Sequence, residues 1–156
     1  MSPAKAGGTK RPIESSADGF SAEERAAMKE CAAELTAAGR RSGKAAAEEA
    51  DLLARIAVMP SPDGALAERS HTIVTDAAPD LAPKLWYGQP AWARNGKVAC
   101  FYRSGQADKT RYSVFGFDEE AALDEDGGMW PTSWAVTGLD DAGEALIRRL
   151  VRRAVS

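Results

Sequence analysis

LWYGQPAWARNGKVACFYRSGQADKTRYSVFGF, residues 85–117, marks this chain as a former of antiparallel sheet. Asn95-Gly96 joins AWAR to KVACFYR, and an Asn-Gly pair between two alternating segments is the strongest short hairpin signal, because both central residues of a type I′ turn take positive φ. In the second of these strands Val98, Cys100 and Tyr102 point one way and Lys97, Ala99, Phe101 and Arg103 the other, so each face carries some apolar surface. SGQADK (104–109) reads as a loop. RYSVFGF (111–117) resumes the alternation, with Tyr112 and Val114 opposite Ser113, Phe115 and Phe117. SWAVT (133–137) supplies a fourth strand, and DEEAALDEDGG (118–128) an acidic turn or short helix before it. Ten of the eleven aromatic side chains lie between Leu85 and Trp134, which puts the working core in this half.

The period is helical before Pro83. Ser21 with Glu24 forms a capping box, and Met28, Cys31, Ala32 and Leu35 recur at helical spacing until Gly39, predicting a first helix with a narrow, alanine-rich stripe. Such a stripe suits a peripheral or partner-facing element. After RRSGK, a second helix is expected from about Ala45 to Met59 with Leu52, Leu53, Ile56 and Met59 on one side, stopped by Pro60. Ser61 then caps a third, with Pro62 at its first position and Leu66, Ile73, Val74 and Ala77 on one face until Pro79. The last helix starts at Asp140 or Asp141 and carries Leu146, Ile147, Leu150 and Val151. Its acids lie at the start and Arg148, Arg149, Arg152 and Arg153 at the end, favourable to the macrodipole at both termini. The expected class is α+β: an antiparallel sheet of four or more strands in the C-terminal half, three helices before it and one after.

A chain of 156 residues fits one domain, expected over 20–156, while residues 1–19 have almost no apolar content and read as a disordered tail. With 20 basic and 23 acidic side chains the net charge is -3, and no global basic field draws in nucleic acid or an anionic membrane. No run approaches the roughly 20 apolar residues of a membrane span, and the first residues lack an apolar signal-peptide centre. Cys31 and Cys100, without CxxC spacing, suit a reducing compartment. A cytoplasmic protein is expected, a monomer or weak homodimer, with a small molecule or protein as partner.

LWYGQPAWARNGKVACFYRSGQADKTRYSVFGF, followed by MWPTSW and a C-terminal amphipathic helix, resembles the YdhG-like proteins, domain of unknown function 1801, over about residues 80–155. FSAEERAAMKECAAEL and LAERSHTIVTDAAPDL look like the helical segments that precede this core in many members. The resemblance implies a frataxin-like α+β fold, and iron as a cargo, since some relatives are described as iron chaperones. The acidic residues available for a hard cation are Asp118, Glu119, Glu120, Asp124, Glu125 and Asp126. The first helix here departs from the frataxin pattern, mixing Glu23, Glu24, Glu30 and Glu34 with Arg25 and Lys29.

Composition points to a binding surface more than to chemistry. Trp86, Tyr87, Trp92, Phe101, Tyr102, Tyr112, Trp130 and Trp134 carry the large rings, and several together would line a concave ligand or peptide surface with Arg94, Arg103 or Arg111 at its margin. His71, the lone histidine, lies near the edge of an apolar helix face, with no second histidine or neighbouring nucleophile, and reads as a surface or rim residue. Cys100 and Cys31 both read as small buried hydrophobes. No phosphate-loop, dinucleotide, HExxH or GxSxG pattern occurs.

Overall fold

The computed structural model describes residues 21–156; the tail expected at 1–19 lies outside them. By its internal contacts the chain divides into two compact units, Met1–Gly43 and Lys44–Ser156. In the first, the described residues are Ser21 and the start of helix α1 (Ala22–Ala57). The capping box is made as expected: Glu24 N–H donates to Ser21 Oγ at 3.1 Å, and Ser21 N–H to a Glu24 carboxylate oxygen at 2.9 Å. Beyond it every described side chain of this unit is exposed except half-buried Ala37. Cys31 is therefore exposed, not buried as its alanine stripe suggested.

Two helices were expected before Pro60, and there is one. RRSGK continues as helix because it holds no proline and its arginines and lysine are good helix formers. Each glycine costs only about 1 kcal/mol against alanine, which neighbouring turns absorb. Helix α2 (Asp63–Ala77) begins without a Ser61 cap: Pro62 occupies the cap position and brings no side-chain acceptor. The serine contributes its carbonyl instead, accepting from Gln106 Nε2 at 3.2 Å.

The second unit is built on a five-stranded antiparallel sheet in simple meander order: β1 (Ala82–Trp86), β2 (Gln89–Arg94), β3 (Lys97–Arg103), β4 (Ser113–Phe117) and β5 (Ser133–Val136). Asn95 and Gly96 take φ of 53° and 79°, the type I′ turn that their sequence requires. β1 is the strand that pattern reading passes over. Pro83 lies inside it, which an edge strand tolerates because one side of its backbone has no ladder to join. It reaches β2 through a second two-residue turn in which Tyr87 as well as Gly88 has positive φ, 52° and 76°. A β-bulge between Trp92 and Ala93 interrupts the β2–β3 register. The expected loop after β3 contains a one-turn helix, α3 (Gly105–Asp108), capped by Ser104, whereas the acidic segment 118–128 forms turns only.

One face of the sheet is the core. Trp92, Cys100, Tyr102, Phe115 and Phe117 pack with Leu52 and Ile56 of α1, Leu66, Ala67, Ile73 and Val74 of α2, and Ile147, Val151 and Ala154 of α4 (Asp141–Ala154). Asp140 caps α4 by accepting from Gly143 N–H at 2.8 Å. Helices α2 and α4 are tied across their outer sides by Arg69–Glu144 and Arg148–Asp76 ion pairs. Arg148 thus has a cross-helix partner besides the α4 dipole.

Candidate functional site

Cross-strand pairing sorts the aromatic residues. Trp92 pairs with Cys100, Cys100 with Phe117, Tyr102 with Phe115 and Phe115 with Trp134, so these share the helix-covered face. Lys84 pairs with Ala91, Ala91 with Phe101, Phe101 with Gly116 and Arg103 with Val114, which puts them on the other. There Trp86, Phe101, Arg103 and Val114 are only half-buried.

Of the ring residues expected to line a ligand surface, Trp92 and Tyr102 are fully buried in the core. Trp92 stands against Phe115 at 6.2 Å between centroids, and its Nε1–H donates to His71 Nδ1 at 3.1 Å. Tyr102 donates its hydroxyl hydrogen to the Asp63 carbonyl, and burial pushes its pKa up to about 12. Trp134 meets Phe117 edge-on, and Trp130 packs against the core from its margin. Tyr112, beneath the Arg111 guanidinium, lies apart beside the loop after α3. The eight rings are therefore divided between the two faces of the sheet and its margins. Trp86, Tyr87 and Phe101 cluster: the Trp86 ring is 5.1 Å from Tyr87 and 5.3 Å from Phe101. Gly116 makes room for this cluster, since a Cβ there would stand 2.5 Å from Phe101 Cζ.

Beside Trp86 opens a cleft of about 670 Å³ lined by Lys84, the Gly96–Val98 hairpin end and Asp118, Glu119 and Glu120. The last three belong to the acidic segment singled out from sequence, and backbone bonds hold the start of that segment, Asp118 N–H donating to the Ala99 carbonyl at 3.0 Å. Glu120 faces Arg94 at 3.6 Å and Glu125 faces Arg153 at 3.8 Å. Among the described residues, the side chains of Lys84, Lys97, Asp118 and Glu119 have no ion-pair or hydrogen-bond partner. The cleft thus sets two free ammonium groups and two free carboxylates around one indole. Among the described residues no three of His, Cys, Asp and Glu are gathered as a metal site.

No protein-family model, no curated protein and no solved structure matches this chain. Among the described residues no helix is long and apolar enough to cross a membrane.

A second polar assembly escapes sequence pattern entirely. Asp63, 5% exposed, accepts at one carboxylate oxygen from the Ser104 hydroxyl and from Gln106 N–H, the latter at 3.0 Å. Ser104 N–H donates to Gln89 Oε1 at 3.2 Å, and Gly105 N–H to Ser113 Oγ at 2.9 Å. This buried network fastens the start of α2 to the ends of β2, β3 and β4. Only the cluster of polar residues around SGQ hints at it in sequence. His71 is the rim residue expected, and its two nitrogens are both engaged, Nε2 lying 3.5 Å from Glu49. Burial holds its pKa below the ordinary histidine value against the opposing pull of Glu49. Burial likewise raises the Cys100 thiol, which keeps it protonated and inert.

Proposed function

We propose that this protein is a YdhG-like binding module that holds an extended peptide segment carrying side chains of both charge signs across the open face of its sheet. The observation that carries this reading is the cleft in which Lys84 and Lys97 face a free Asp118 and Glu119 beside the Trp86 ring. Unpaired opposite charges held on one fixed frame repel each other's wrong partners and attract a segment of complementary pattern, setting register and on-rate. Trp86, with Phe101 and Tyr87 behind it, supplies the rigid aromatic anchor on which peptide affinity concentrates.

The test is a nuclear magnetic resonance titration with short peptides that combine Lys and Asp around an aromatic or aliphatic residue, alongside all-acidic, all-basic and neutral controls. Mixed-charge peptides are expected to shift the Trp86 indole and the backbone amides of Lys84, Lys97, Asp118 and Glu119. Trp86→Ala is expected to weaken binding about tenfold or more, the range of an aromatic hot spot, with the fold retained. Equal shifts from every peptide class, or undiminished binding by Trp86→Ala, would reject the reading.

A further inference from the structure

A separate cavity of about 380 Å³ opens between the end of α1, the β1–β2 turn and α3, and shares no lining residue with the peptide cleft. Its walls are Val58, Met59, Pro60 and Ala107, apolar or nearly so, and its polar groups converge from Arg55, Gln89, Ser104 and Gln106. The hydroxyl of Ser104 and the backbone N–H of Gln106 are committed to the Asp63 carboxylate, and the Gln106 amide donates to the Ser61 carbonyl. Two side-chain groups remain whose donors make no hydrogen bond among the described residues.

The first is the amide nitrogen of Gln89, which is 7% exposed. Its Oε1 accepts the Ser104 N–H, which fixes the amide's orientation, because a backbone N–H needs an acceptor opposite it. The Nε2 hydrogens have no partner among the described residues. A buried amide donor left unmade is costly, and native proteins leave few such groups without a ligand or water to satisfy them. The second is Arg55, whose guanidinium has no carboxylate or carbonyl partner among the described residues. No Asp or Glu lines the cavity, and the carboxylate behind its wall, Asp63, is already taken up by its own donors. The other charges close by, Arg103 and Asp108, neutralise each other in a two-pronged pair at 2.8 and 3.0 Å.

We infer that this cavity is a binding site for a small organic carboxylate with an apolar tail, its head group held between the Arg55 guanidinium and the Gln89 amide. A guanidinium offers paired N–H groups that match the two oxygens of a carboxylate, and a single cation balances a single negative charge. Met59, Val58 and Ala107 then cover the tail. A phosphate dianion would need a second cation, which the lining does not supply.

The experiment uses the full chain and hexanoate as the probe, with hexylamine, hexanol and inorganic phosphate beside it. Binding is read from the side-chain amide resonances of Gln89 and the Nε–H of Arg55. Hexanoate is expected to give saturable shifts at both, and hexylamine and hexanol none. Arg55 is exposed, so Arg55→Met should keep the melting temperature while weakening hexanoate about tenfold or more, the loss expected for a charge-assisted hydrogen bond. Gln89→Glu keeps the acceptor that Ser104 needs and replaces the free donor with a second acceptor; it is expected to abolish hexanoate binding with the fold intact. The inference is overturned if hexanoate leaves the Gln89 amide unmoved, if hexylamine binds as well, if phosphate binds where hexanoate does not, or if folded Arg55→Met binds hexanoate like the parent.

Discussion

Gly116→Ala isolates the packing that shapes the open sheet face. An added Cβ would stand 2.5 Å from Phe101 Cζ and 2.9 Å from Cε1, whereas carbon atoms in contact settle at about 3.5–4.0 Å, so the ring must retreat by roughly 1 Å or more. Phe101 is half-buried and has a solvent side to move toward, which places the overpacking cost near the low end of about 1–3 kcal/mol. Retreat also disturbs its contact with Trp86, a pair worth about 0.5–1.5 kcal/mol. Against this, replacing glycine lowers the entropy of the unfolded chain, stabilising by about 0.4–1 kcal/mol. The balance is a loss of about 1 kcal/mol, or about 3 °C in melting temperature for a chain of this size. Calorimetry measures the loss, and the Trp86 indole resonance reports the displaced neighbour. In a Phe101→Ala background the clash is gone, so the same glycine substitution should become neutral or slightly stabilising. A Gly116→Ala variant as stable as the parent with an unmoved Trp86 indole, or an equal loss in the Phe101→Ala background, would mean that Phe101 does not pack on Gly116 in this way.

Trp92→Ala removes a fully buried ring and is expected to cost about 3–5 kcal/mol in denaturant unfolding. At Gly96, where φ is 79° and no atom lies within 4 Å of an added Cβ, the penalty is purely backbone: Gly96→Val should lose about 1–2 kcal/mol and Gly96→Asn much less, by melting temperature. His71 has a lowered pKa, so the unfolded chain takes up its proton first as pH falls. The stability from its neutral form is present above the ordinary histidine pKa of about 6.5 and is lost as pH falls toward the depressed folded value, and His71→Gln should flatten the melting-temperature slope between about pH 7 and 5. With one histidine in the chain, that comparison has no competing imidazole.

The α+β class and the three strands flanking Asn95-Gly96 and Gly116 were legible because alternation and a type I′ turn are local properties. β1 was not, since Pro83 argues against a strand unless its edge position is known, and Tyr87 is a poor advertisement for a left-handed turn residue. That omission hid the cleft: once β1 is a strand, its alternation sets Lys84 and Trp86 on one face. Which rings share a surface was not legible, because sequence spacing does not tell which face of a strand the helices will cover, and Trp92 and Tyr102 fell on the covered one. The continuous α1 follows from cost: two exposed glycines weaken a helix without ending it. The Asp63–Ser104–Gln89 assembly joins residues 15 and 41 positions apart, a separation that no local pattern encodes.

Native mass spectrometry of the protein recovered gently from its own cells, run in parallel on the parent and on Trp86→Ala, addresses the peptide-binding claim most directly. The parent is expected to carry an adduct which fragments as a peptide with both acidic and basic residues, and Trp86→Ala, equally folded, to lose it. A bare parent, or an adduct retained unchanged by Trp86→Ala, would show that the open sheet face does not hold a peptide.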